Sequence, residues 1–232
     1  AGSNTETALE TVTLPHAPEV IDVPPVDSFR RPPRLSLAIR GVGGQGNLFF
    51  GKVLAQVAFL AGYDDRNILK GETHGMAQMG GPVISTFGCG EVFSPALVPG
   101  TANVLIAMEK AEVLRPGFLD LLEPGGTVLM ADTHILPHGL KPEAYPSDEA
   151  IAAQLEGYRV VSVDVLSIAL NLGDPKGRCA NVAMLGVLST LPPFDVVPEA
   201  VWLQALRGIS RKPALWDLNH AGFMAGRGMQ KG

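Results

Sequence analysis

Residues Leu35-Ser36-Leu37-Ala38-Ile39-Arg40-Gly41-Val42-Gly43-Gly44-Gln45-Gly46-Asn47 pass from an apolar run into a glycine turn, and a helix-like stretch from Leu48 to Ala61 follows. A strand that enters such a turn and leaves as a helix places unpaired backbone N–H groups at a helix N-terminus, where the dipole favours negative charge. Gly41, Gly43 and Gly46 also have the spacing of the dinucleotide fingerprint. That fingerprint needs an acid at the end of the second strand to hold ribose hydroxyls. Here Asp64 and Asp65 precede the second strand-like run, and Glu72 follows it in a segment of different character. The misplaced acid argues against a nicotinamide site. Two readings stay open: contact with an anion or acyl group, or a tight turn that lets helix and strand pack closely.

Outward from this turn, strand-like runs are Leu35–Gly41, Arg66–Lys70, Pro82–Phe87, Asn103–Met108, Thr127–Ala131 and Tyr158–Val163. Several are unbroken aliphatic stretches, as in a sheet covered on both faces. Helix-like segments are Gly46–Ala61, Lys110–Leu122, Asp148–Glu156, Val165–Leu170, Asn181–Thr190, Glu199–Leu206 and Pro213–Gly226. Within Lys110–Leu122, Ala111, Leu114, Phe118 and Leu122 recur at spacings of three and four, the stripe of a helix lying on a sheet. Such alternation predicts an α/β fold, a Rossmann-like three-layer α/β/α sandwich with a mainly parallel sheet. Residues 1–33 carry prolines at 15, 18, 24, 25, 32 and 33 and no sustained period, so they are expected to form an extended arm or linker. Val20–Val23 fits an edge strand or a segment draped over a partner. Residues 34–228 are expected to form one domain.

The 232 residues are 46% hydrophobic and carry a net charge of -5, enough for one large core and with no basic excess to attract nucleic acid or anionic membrane. Only 18% are charged, which fits a chain that hides surface in an assembly. No apolar run approaches the roughly 20 residues of a membrane span. Nor does the chain begin with the basic-then-apolar pattern of a secretory signal. Two cysteines, Cys89 and Cys179, cannot provide the four thiolates of an iron–sulfur cluster, and they read as small buried side chains in a reducing, cytoplasmic protein.

A second unusual segment is Lys70-Gly71-Glu72-Thr73-His74-Gly75-Met76-Ala77-Gln78-Met79-Gly80-Gly81-Pro82. Glu72, Thr73, His74 and Gln78 gather hydrogen-bonding and titratable heads between two strands, and the loop is expected at a carboxyl strand end beside the glycine turn. His74 titrates near neutrality unless perturbed, with Glu72 placed to orient it, although a histidine bonded to a backbone carbonyl fits equally. Met76 and Met79 read as gap-fillers. His134 and His138 fall in a proline-containing loop and His220 in the last helix.

Gly41-Val-Gly-Gly-Gln-Gly46 together with Glu72-Thr-His-Gly-Met-Ala-Gln78 resembles the γ-type domain of 2-oxoacid:acceptor oxidoreductases, in particular the β subunit of indolepyruvate:ferredoxin oxidoreductases. Phe93-Ser94-Pro95, Ala102-Asn103, Pro124–Val128, Asn181 with Leu185-Gly186, and Asn219 with Phe223 continue the likeness in order. The resemblance implies the pyruvate:ferredoxin oxidoreductase γ-domain fold and a role in oxidative decarboxylation of a 2-oxoacid, indolepyruvate or another aryl 2-oxoacid, to an acyl-CoA. It implies a complex using thiamine diphosphate, Mg, 4Fe–4S clusters and coenzyme A, with cofactors held by partner subunits and ferredoxin as acceptor. This chain would be inactive alone and hold no metal. It further implies that Glu72, His74 and Gln78 act on substrate, and that Gly43, Gly44, Gln45, Gly46, Thr73 and Gly75 contact a partner-held cofactor or coenzyme A. A free-standing nucleotide-binding reductase and a purely structural subunit are the alternatives.

Overall fold

The computed structural model describes residues 12–42, 46–72, 82–136 and 141–229. Six strands form one mixed sheet: β1 (Arg34–Val42), β2 (Ile68–Glu72), β3 (Pro82–Gly90), β4 (Ala102–Ala107), β5 (Leu122–Ala131) and β6 (Arg159–Val163). Their spatial order is β2-β3-β1-β4-β5-β6. β1, β4, β5 and β6 run parallel, whereas β3 is antiparallel to both β1 and β2. The expected α/β class with a mainly parallel sheet is what the chain forms.

The helices are α1 (Asn47–Leu60), α2 (Asp148–Gln154), α3 (Val165–Asn171), α4 (Ala180–Leu188), α5 (Glu199–Ile209) and α6 (Pro213–Gly228). One sheet face, formed by Leu35, Leu37, Ile39, Val104, Ile106 and Leu129, packs into a large core with Phe50, Leu54, Met184, Trp202 and Phe223 of these helices. The indole of Trp202 lies near the rings of Phe194 and Phe223, with centroids 6.4 Å away in each case. Burying each such ring contributes roughly 1.5–3 kcal/mol, which makes this cluster the anchor of the helical layer. α4 and α6 approach so closely that a Cβ on Gly186 would overlap the Phe223 carbonyl, and one on Gly226 the Ala183 carbonyl. The Leu185-Gly186 pair of the sequence likeness has a packing reason.

The other face is built from Ala38, Leu105, Ala107, Val128 and Met130 and carries a thinner layer. Here the sequence expectation fails. Lys110–Leu122 is not a helix but two 3-10 turns, Lys110–Leu114 and Leu119–Leu121, the second running straight into β5. Pro116 lies between them, lacking the N–H an α-helix interior needs, and Gly117 has φ +77°. Of the expected stripe, Phe118 is buried against the sheet and Leu114 and Leu122 pack there partly buried, while Val113 and Leu119, outside the stripe, are buried with Ile151 and Leu155.

From residue 12 to residue 33 the chain forms no strand; it carries one 3-10 turn, Val26–Ser28, and is fastened to the helical layer. Ala17 is buried, its N–H donates to Asp217 Oδ1 at 2.8 Å, and Trp216 Nε1 donates to the Pro18 carbonyl at 3.0 Å. Leu14 packs against Ala169, Cys179 and Leu218, and the Tyr63 hydroxyl donates to the Pro32 carbonyl at 2.7 Å. Val20, in the stretch that fits an edge strand, is 85% exposed. Two cysteines expected to be buried are so, in separate apolar clusters, and burial pushes each thiol up to about 12.

Candidate functional site

The parallel strands end on one edge of the sheet. The chain leaves β1 toward the face bearing α1, and leaves β4 toward the opposite face, where the Lys110–Leu114 turn lies. In open α/β sheets such a divergence defines the crevice at the strand ends where ligands usually bind.

On one side of the crevice stands the start of α1. Gly46 is its N-cap in the left-handed region at φ +84°, and no side chain caps the helix. A Cβ on Gly46 would overlap the Asn181 carboxamide, so only glycine lets the turn sit against the first turn of α4. The start of α4 is itself fixed by the buried Asp174, whose carboxylate accepts from Cys179 N at 2.8 Å and Arg178 Nε at 2.9 Å. Burial works to raise the Asp174 pKa, yet the bonds from Arg178 and Cys179 prevail and hold it below the ordinary carboxylate value. Asn47, first residue of α1, is 7% exposed, and neither its Oδ1 nor its Nδ2 has a hydrogen-bond partner. Ser85, opposite Ile39 and Glu72 in the ladders, has an unpartnered buried hydroxyl as well. Thr133, just beyond β5, has a third. Among the described residues, four side chains carry such orphaned atoms, and three of them lie at this one edge. An orphaned buried polar group costs about 1–3 kcal/mol, so their concentration here marks a place arranged for something other than stability.

Across the crevice, Glu109 follows β4 and is 2% exposed. Its carboxylate accepts from Ala111 N at 3.0 Å, Ile135 N at 3.4 Å and the Tyr145 hydroxyl. Burial raises its pKa, opposed by the Tyr145 bond, and burial likewise raises that of Tyr145. The Tyr145 ring packs on His134 with centroids 3.7 Å apart. Arg40 of β1 bonds Glu112 at 3.3 Å and lies over the Phe118 ring. Lys110 reaches Asp148 at 2.6 Å and Asp132 at 3.5 Å, rimming a cavity of about 380 Å³ floored by Met130, Ile151 and Val160.

Of the residues expected from sequence, Gly46 lies at the crevice and Glu72 closes β2 at the same edge. Gly43, Gly44, Gln45, Thr73, His74, Gly75 and Gln78 lie outside the described residues. β2 is not the neighbour of β1, as a simple parallel order would have it; β3 lies between them. Residues 73–81 therefore join β2 to the strand directly bonded to β1, which still puts both ends of the segment at this edge. Asn103 and Asn219, prominent in the sequence likeness, serve the fold. Asn103 accepts from Ser36 N at 2.8 Å and donates to Glu123 at 2.7 Å, while Asn219 donates to Ser210 Oγ at 2.8 Å. Sequence reasoning passed over Asn47 and Glu109. A polar residue opening an apolar helix, and an acid ending the apolar run Val104–Met108, were the available signals.

Residues 36–229 match the family model described as pyruvate ferredoxin/flavodoxin oxidoreductase. The chain belongs to this family. Relatives in the pyruvate ferredoxin/flavodoxin oxidoreductase family include the indolepyruvate oxidoreductase subunit IorB of Archaeoglobus fulgidus, 35% identical over 159 residues, 67% of this chain and 76% of that one. The subunit of the same name from Thermococcus kodakarensis is 32% identical over 197 residues, covering 82% and 93%. Among solved structures, pyruvate oxidoreductase subunit PORC of Thermotoga maritima superposes with TM-score 0.61 at 20% identity, over 84% of this chain and 96% of that one. The 2-oxoglutarate:ferredoxin oxidoreductase of Magnetococcus marinus gives 0.62 at 18% identity, with this chain covering 32% of it. These two likenesses speak for the fold. The relatives are subunits of oxidoreductases acting on 2-oxoacids, so the γ-type oxidoreductase domain expected from sequence is the one present. No helix among the described residues is long and apolar enough to cross a membrane.

Proposed function

We propose that this chain is a subunit of a thiamine-diphosphate-dependent 2-oxoacid:ferredoxin oxidoreductase that converts an aryl 2-oxoacid, indolepyruvate foremost, to an acyl-CoA in the cytoplasm. The observation that carries the reading is the family match over residues 36–229 on a chain whose orphaned polar groups gather at one strand edge. The hard chemistry belongs to cofactors on partner subunits. The chain has two cysteines, which lie in separate apolar clusters, and this supports an iron–sulfur cluster held by a partner subunit. The role assigned to this chain is to complete the site: the α1 N-terminus around Gly46 meets a partner-held cofactor or coenzyme A, and Glu72, His74 and Gln78 position substrate and exclude water. Gly43, Gly44, Gln45, Thr73 and Gly75 are assigned to the same contact. Exposed apolar side chains support a partner-covered surface, Phe93 being 98% and Phe59 59% exposed.

The test is anaerobic isolation of the chain with its companions, followed by native mass spectrometry and assay of ferredoxin reduction by indolepyruvate and coenzyme A. A heteromer bearing thiamine diphosphate and iron–sulfur clusters that reduces ferredoxin is expected. A lone chain that binds NAD(H) saturably would overturn the reading.

A further inference from the structure

We infer that Asn47 is a ligand-reading residue, and that with the uncapped start of α1 it receives a hydrogen phosphate group. The inference rests on the strand-edge site of the preceding reading, not on its oxidoreductase chemistry. α1 is a 14-residue helix whose N-cap glycine offers no side-chain oxygen to its amides. The N–H groups of Asn47 and Leu48 meet no backbone carbonyl among the described residues, whereas those of Phe49 and Phe50 turn back to the Gly46 carbonyl. The Cα–Cβ bonds of an α-helix tilt toward its N-terminus, so Asn47 leans its side chain from Cβ toward the end that bears these amides. It is buried and has no partner at either atom.

The demand is therefore mixed. Among the described residues, two backbone N–H groups and Nδ2 lack acceptors, and Oδ1 lacks a donor. A bare carboxylate satisfies the first three and leaves Oδ1 orphaned. A hydrogen phosphate brings several acceptor oxygens and one O–H, and its charge suits the positive end of the helix. A 2-hydroxycarboxylate is the other source of oxyanion plus hydroxyl.

An amide kept orphaned in the free protein is retained against stability, which gives a test that a structural role cannot imitate. The full chain is melted in phosphate-free buffer as wild type, Asn47→Leu and Asn47→Ala. Inorganic phosphate and L-lactate are titrated into each, with the side-chain NH₂ resonances of Asn47 followed by NMR in the wild type. In wild type, phosphate should move those resonances saturably and raise the melting temperature, more tightly than lactate. Asn47→Leu, similar in volume and free of orphaned atoms, should melt about 2–6 °C higher without ligand. Both variants should bind phosphate at least about tenfold more weakly. Overturning results are an Asn47→Leu protein that melts lower or fails to fold together with Asn47→Ala that keeps phosphate binding, unmoved Asn47 resonances, or tighter binding of lactate. None of these depends on whether the purified complex oxidises a 2-oxoacid, so the two readings fail separately.

Discussion

The Tyr145 hydroxyl donates to the buried carboxylate of Glu109, thirty-six residues away in sequence. This bond pins the segment after β5 across the end of β4, on the crevice side opposite α1. It holds together two groups that burial pushes the same way, since both prefer to keep a proton.

Removing the donor should be costly. Tyr145→Phe leaves Glu109 with its two backbone donors only, and should lower unfolding free energy by about 1.5–3 kcal/mol at pH 7. Urea titration of wild type and variant measures it. An unchanged midpoint would show that the bond carries nothing.

The pH dependence follows from the direction of the Glu109 shift. An acid whose folded pKa is raised binds more protons folded than unfolded, so its contribution to stability is full below the unfolded value near 4.5 and is lost as pH rises through the folded value. Glu109→Gln keeps an acceptor for Tyr145 and cannot ionise. It should match or exceed wild-type stability at pH 7 to 8 and lose that advantage toward pH 4. Melting temperatures across this range decide it.

The α4–α6 crossing gives a sharper contrast. Gly226→Ala drives a methyl into the Ala183 carbonyl and should cost about 1–3 kcal/mol. Gly208→Ala, on the exposed side of α5 with open space around it, should instead gain about 0.5–1 kcal/mol from helix propensity. Equal effects in chemical denaturation would refute the packing account.

Asp217 fastens the arm through Ala17 N, and this bond, with the bond from His16, holds its pKa below the ordinary carboxylate value. Asp217→Ala should make the Ala17 amide exchange roughly tenfold faster while core amides are unaffected. Acid should loosen the arm of the wild type in the same way, since a depressed carboxylate loses its contribution as pH falls through the folded pKa.

Much of the fold was legible because the information was local. β4 reads as a strand since both faces are buried, leaving the aliphatic run Val104–Ala107, and β1 reads so from Leu35–Ile39, which only Ser36 interrupts. The false helix at Lys110–Leu122 shows where periodicity misleads. Its apolar residues do face the sheet, but Pro116 and Gly117 forbid the hydrogen bonds that a helix over them needs. The antiparallel pairing of β2 with β3 was also available, for nine residues between two strands are too few for a parallel crossover, but nothing local announced that β3 would sit between β2 and β1. The Glu109–Tyr145 bond was not legible, because no local pattern announces a partner so distant in sequence. Asn47 carried one local signal, a polar residue opening an apolar helix, and its burial and lack of partners gave that signal its meaning.

The antiparallel strand β3 has one more implication. Its pairing with β2 begins at Ser85, opposite Glu72, while Pro82, Val83 and Ile84 are held by β1 instead. Both ends of segment 73–81 are therefore clamped by ladders that do not depend on what the segment contains. Substitutions among these nine residues therefore leave the register of β1, β2 and β3 beneath them unchanged.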